Sequence, residues 1–247
     1  MERSQSFQNS LSKAAKKFDE MTSRRERLIK ESRDVISLAA KVIVSIHTSN
    51  QTEARRLLKQ ARDKLDELRR VAAMDLSRYL VVPEQEYVEA SVFYSISTGE
   101  KMPSIEELGV GPASYILGLL DLVGELKRAV YDNIRLGRIK EAEEIFSAME
   151  ALYTQISPFA VYDNIAQGVK RKLDIARMLI EDTRSIVTEE VRRTQFMKSV
   201  NELTSRLKKQ GISGNLQFAE ERAKPKKQQT LKSASLTEVF ESAKNPE

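Results

Sequence analysis

The chain has 247 residues, no cysteine and one histidine, His47, which excludes disulfide frameworks, zinc–thiolate sites, iron–sulfur clusters and thiol nucleophiles. Multi-histidine metal centres go with them, as do di-iron bundles built on Glu-x-x-His pairs, because no glutamate stands three residues before His47. The formal charge is +5, yet 9 basic and 5 acidic residues fall from Ser205 onward, so the body is nearly neutral and lacks the dense basic face that grips duplex nucleic acid by charge alone.

The first 82 residues hold neither glycine nor proline, which favours long helices. From Phe18 an apolar stripe runs through Met21, Leu28, Val35, Ala39, Val42 and Ile46, with Arg25 and Ser32 filling two of its slots. Alternating three- and four-residue steps are the period of a helix that buries one face. Residues 47–52 break the pattern and offer Ser49 or Asn50 as the next N-cap. A second stripe follows at Leu57, Ala61, Leu65, Leu68, Ala72 and Leu76.

Pro83 suits the first turn of a third helix, which runs to about Thr98 with Gly99 as its C-cap. Residues 99–112 read as a loop with one short turn. A further helix is expected from about Pro112 to Leu136, stopped by Gly137, and another from Ile139 to Ile156, before Pro158. The last begins after Pro158 and extends past Val191, with Gly168 as a bend. No strand alternation is visible, so the fold class is all-α with six or seven helices. After about Gly211 the stripe is lost. The region 211–247, with a basic run at Lys224–Gln229 and one short amphipathic stretch at Leu236–Phe240, reads as a polar, disordered tail following a helical domain of 1–210. No apolar run approaches the roughly 18–20 residues needed to span a bilayer, and the N-terminus shows no hydrophobic signal core. An intracellular, cytoplasmic protein is expected.

Two acidic pairs carry the chemistry. Glu86 and Glu89 stand three apart, Asp121 and Glu125 four apart, so each pair occupies roughly 40–60° of one helical face. Their neighbours are apolar: Val88 and Phe93 on one helix, Leu117 to Val123 on the other. Gly118 and Gly124 flank Asp121; a glycine inside a helix costs about 1 kcal/mol relative to alanine and is kept where a backbone or ligand comes close. Acidic pairs at this spacing are commonly solvated faces or partners of Lys and Arg. Four carboxylates turned toward one another would instead repel unless a cation joined them, and an oxygen-only cage suits Mg²⁺ or Mn²⁺. His47, on the apolar stripe, reads as structural.

The segments Gln85–Ala90 and Gly118–Leu126 resemble the two acidic motifs of the translin and translin-associated factor X (TRAX) family. The first helix supports the resemblance with Phe18-Asp19, Arg25–Lys30, Ser32-Arg33-Asp34 and Ile46-His47, and Arg171–Asp174 is similar to the basic start of the family's last helix. The resemblance implies a seven-helix, all-α subunit with long antiparallel helices, assembling into a closed homo-oligomeric shell, a homo-octamer. It places the chain with the catalytic TRAX branch, because all four acids are present. It further implies an endoribonuclease acting on single-stranded RNA, or single-stranded DNA as ligand, with one or two Mg²⁺ ions (or Mn²⁺) held by Glu86, Glu89, Asp121 and Glu125.

For RNA contacts, Arg128 follows Glu125 by three residues on the same side of the helix; Arg25, Arg33, Lys170, Arg171 and Lys172 are further candidates. A near-neutral body favours single strands over duplex. Three other readings stay open: a non-catalytic single-strand binder of translin type, an all-α Mg²⁺-dependent nucleotide pyrophosphatase, which also pairs Glu-x-x-Glu with a second acidic pair, and a helical scaffold that binds no nucleic acid.

Overall fold

The structure is a computed structural model and describes residues 2–209; the sequence's expected tail, with its basic run and the Leu236–Phe240 stretch, lies outside the described residues. Among these there is no strand. Seven α-helices follow one another: α1 (Glu2–His47), α2 (Gln51–Ala72), α3 (Val81–Thr98), α4 (Ile105–Leu108), α5 (Pro112–Arg135), α6 (Ile139–Ile156) and α7 (Val169–Lys209). No helix among the described residues is long and apolar enough to cross a membrane. The described residues form two compact units, 2–94 with Pro103–Leu119, and Ser95–Met102 with 120–209.

In the first unit α1 and α2 are an antiparallel hairpin closed by a three-residue turn, in which the Asn50 side chain accepts the Glu53 N–H at 3.2 Å. The antiparallel sense shows in the cross-links: Arg24 meets Asp75, and further along α1 Glu31 meets Lys64 at 2.9 Å. Both stripes face inward, with Leu28, Val35, Ala39 and Val42 of α1 and Ala61, Leu65, Leu68 and Ala72 of α2 all fully buried. Ser32 fills its polar slot by donating its hydroxyl to the Leu28 carbonyl at 2.6 Å. Phe18 departs from expectation. It is 65% exposed, because α2 ends at Ala72 opposite Arg24, leaving the start of α1 beyond its partner.

The Lys64 ammonium and then the Arg27 guanidinium, both bonded to Glu31, hold its carboxyl below the ordinary 4.5. A depressed folded-state value means that the stabilisation is present above the ordinary carboxylate range and is lost as pH falls through the folded value. Glu31→Gln should therefore cost about 0.5–1 kcal/mol at pH 7, and the gap to the wild type should narrow as the pH is taken down through and below the ordinary carboxylate range. Urea midpoints across that range measure this.

The loop expected over 99–112 contains α4, whose capping box joins Ser104 and Glu107. Its anchor is Glu84, a buried carboxylate on the first turn of α3. Glu84 accepts the Ser114 hydroxyl at 2.6 Å and the Gly111 N–H at 3.4 Å, and lies 3.6 Å from the Arg69 guanidinium. Arg69 also donates to the Leu108 carbonyl at 3.1 Å. One carboxylate thereby ties α2, the loop and the start of α5 to the helix that carries Glu86 and Glu89.

In the second unit α6 lays Ala142, Ile145, Met149 and Leu152 against α7, whose Val169, Leu173, Ala176, Ile180, Thr183 and Val187 are buried at alternating four- and three-residue steps. Arg184 of α7 reaches Glu150 of α6 at 2.6 Å. Between the two helices the chain makes a 3-10 stretch, Ser157–Tyr162. Gly168 is not a bend within α7, as the sequence suggested, but the residue before it, with φ 91°, where the turn hands over to the helix. Asp163 completes this start by accepting the Lys170 N–H at 3.0 Å.

Candidate functional site

The first acidic pair sits on a helix buried nearly all round: every residue from Tyr87 to Ser97 is buried. Glu89 is 8% exposed, between Val88 at 0% and Ala90 at 0%, and Glu86 one turn earlier is half-buried. Small residues make this possible, since Ser91, Ser95 and Ser97 are all buried beside bulky Phe93. The first half of α5 approaches closely: a Cβ placed on Gly118 would stand 2.6 Å from the Gln85 carbonyl oxygen and 2.8 Å from Val88 Cβ. The reason for a glycine at 118 is therefore another backbone, that of α3. Gly124 has no such reason, for a Cβ there would meet nothing within 4 Å.

The second pair lies on the α5 segment of the other unit. Asp121 and Glu125 have side chains 30% and 23% exposed, flanked by fully buried Leu122, Val123 and Leu126. Asp121 carries an ion pair with the Lys172 ammonium from the first turn of α7. Glu125 lies 3.8 Å from the Arg128 guanidinium, which is 55% exposed. Arg128 thus stands beside the carboxylate that its spacing indicated, whereas Lys172, considered for RNA, is engaged by Asp121. The remaining basic candidates are exposed: Arg33, Lys170 and Arg171 on their helix surfaces, and Arg25, which donates to the Tyr79 hydroxyl at 2.8 Å and lies over its ring. His47 is half-buried, its ring 5.1 Å from that of Phe93.

None of the four acids is on an exposed surface. Their donor chemistry, oxygen only, suits a hard divalent cation. Their arrangement supplies less: among the described residues no three His, Cys, Asp or Glu side chains form a group able to hold a metal ion, and the positive charge at Asp121 is a lysine. In type the residues fit a Mg²⁺ site; in grouping they do not.

Two polar clusters escaped the sequence reading. Glu84 was not singled out, although its place in the first turn of α3 was visible. The other is Asp182 on α7, which accepts from Lys127 and from the Tyr131 hydroxyl at 2.7 Å. Lys127 and then Tyr131 hold the Asp182 carboxyl below its ordinary range, while burial pushes Tyr131 up. Nothing in local spacing marks partners some fifty residues apart.

The Translin family model matches residues 23–187. An uncharacterized protein of Methanocaldococcus jannaschii is 35% identical over 162 residues, covering 64% of this chain and 72% of its own length. Among solved structures, AfC3PO in complex with duplex RNA superposes with a TM-score of 0.68 at 30% identity, covering 74% of this chain and 97% of that one. Apo-NeC3PO, at 21% identity and a TM-score of 0.64 over 73% of this chain and 96% of its own, shares the fold.

Proposed function

This chain belongs to the Translin family, and from that premise we propose that it binds RNA and cuts its phosphodiesters as a Mg²⁺-dependent endoribonuclease within a homo-oligomeric shell. The observation that carries the reading is the set Glu86, Glu89, Asp121 and Glu125: four acids at the motif positions, none of them on an exposed face. A merely solvated pair of acidic stripes would be exposed. Arg128, mostly exposed beside Glu125, binds an RNA phosphate. No histidine serves as base, since His47 is packed on Phe93.

The near-neutral body favours single-stranded substrate, while the AfC3PO complex adds duplex RNA as a ligand to be tried. A labelled oligoribonucleotide, single-stranded and annealed, incubated with Mg²⁺ or with EDTA, tests the proposal. Cutting that requires Mg²⁺ supports it, and cutting undiminished in EDTA overturns it. Nucleoside triphosphates in a parallel reaction separate it from a pyrophosphatase. One observation favours a second reading, RNA binding without cleavage: Lys172 already neutralises Asp121. That reading is upheld by retention of the oligonucleotide with no product at any Mg²⁺ concentration.

A further inference from the structure

The family match ends at residues 23 and 187, yet α1 begins at Glu2 and α7 continues to Lys209. Two helical arms therefore extend beyond the family match. Residues 5–20 of α1 are all exposed, and from 192 to 207 every residue of α7 is exposed or half-exposed.

Each arm carries an apolar line. On α1 it is Phe7, Leu11, Ala14 and Phe18; on α7 it is Phe196, Val200, Leu203 and Leu207. Both advance by four, three and four residues, which confines each line to about 60° of its helix. This is the seam of a coiled coil. Phe7, Leu11 and Phe18 are 63%, 55% and 65% exposed, and Phe196 and Leu203 are 66% and 58% exposed, with Val200 and Leu207 half-exposed, so no other part of the described residues covers either seam.

The α1 seam continues in phase into the buried stripe that α1 shares with α2. On α7 the geometry differs. The stripe that α7 buries on α6, carried past Val187, reads Val191, Thr194, Lys198, Asn201 and Ser205 and turns polar. The Phe196–Leu207 seam lies about 170° round the helix from that stripe, so it is a separate surface rather than an overrun of the fold's own packing. Short helices without a partner are marginal in water; arms of this length hold their form when something covers the seam.

We propose that a second copy of this chain covers them, the α1 arm of one copy lying against the α7 arm of another. The two seams match in length and step, so they interlock residue for residue. Charge selects this pairing over α7 with α7. From Val191 to Lys209 there are six basic residues (Arg192, Arg193, Lys198, Arg206, Lys208, Lys209) against Glu202 alone, and two such helices repel. The α1 arm, with Glu2, Asp19 and Glu20 against Arg3, Lys13, Lys16 and Lys17, carries one net positive charge, so it repels the basic α7 arm less than a second α7 arm would. The inference does not depend on nuclease activity.

The absence of native cysteine makes the test clean. Full-length copies carrying Leu11→Cys are mixed with differently tagged copies carrying either Leu203→Cys or Val200→Cys, and oxidised mildly. Covalent dimers between the two kinds, exceeding those from either alone, are expected: with Leu203→Cys if the arms run antiparallel, with Val200→Cys if parallel. Three results overturn the proposal: Leu11→Cys linking mainly to itself, a chain bearing both cysteines closing within one copy, or no link while the wild-type assembly stays intact. Independently, Leu11→Ser with Phe18→Ser should raise the dissociation constant of the assembly about ten-fold or more; an unchanged constant also overturns it.

Discussion

Replacing Glu89 by glutamine should lower Mg²⁺-dependent cutting of RNA by at least about a hundred-fold. Groups one step out from a metal already cost roughly 10–100-fold when removed, and the proposal puts Glu89 nearer than that, which sets the floor. Glutamine is chosen because Glu89 is 8% exposed on a helix otherwise filled with Val88, Ala90 and Phe93. Alanine would leave a cavity and an orphaned partner, whereas the amide keeps the volume and removes only the charge. Circular dichroism and light scattering should therefore match the wild type. RNA binding, measured by filter retention in EDTA, should also be retained, because Glu89 is an anion and contributes nothing attractive to phosphate. Cleavage at wild-type rates in a well-folded Glu89→Gln protein would exclude the carboxylate site and leave the RNA-binding reading standing.

Gly118→Ala should destabilise the protein by about 2 kcal/mol, or several degrees in Tm. The added methyl would stand 2.6 Å from the Gln85 carbonyl oxygen, and neither atom belongs to a side chain that can swing away. Relief requires α5 to back off from α3, which outweighs the roughly 1 kcal/mol that alanine returns as helix propensity. Because the contact falls on the turn that carries Glu86, the variant should also lose cleavage out of proportion to its stability at 25 °C; small displacements of reacting groups cost on the order of a hundred-fold. Gly124→Ala is the internal control. With nothing within 4 Å of the added methyl, it should raise stability by up to about 1 kcal/mol. Thermal melts of the two variants side by side check both signs.

These two glycines show where sequence reading stops. Both sit in one helix six residues apart, flanking Asp121, and both suggested a close approach. What a missing Cβ faces is a tertiary fact, and only Gly118 faces a backbone. Period-based readings fared better because they rest on local geometry. The second stripe, from Leu57 to Ala72 on α2 and on to Leu76 in the turn beyond it, is buried at every position, and α6 runs from Ile139 to Ile156 as its flanking Gly137 and Pro158 indicate. Phe18 failed for the same reason as Gly124: periodicity names a face, not where the neighbouring helix ends. Lys172 was legible as a basic residue on α7, but its partner Asp121 lies 51 residues earlier in the chain. The acidic motifs and the family were legible, because they are short stretches of residue types in fixed order.

The uneven cover along α1 has a practical outcome during purification. Trypsin cuts after lysine and arginine where a helix can open locally, and Lys13, Lys16 and Lys17 all sit on the exposed stretch, whereas the basic residues of α2 sit on a helix whose other face is packed against α1. Brief digestion of dilute protein should clip the first 17 residues before it touches α2. At high concentration the same lysines should resist, so the rate at which a slightly shorter band grows on a gel becomes a reading of how many subunits have met.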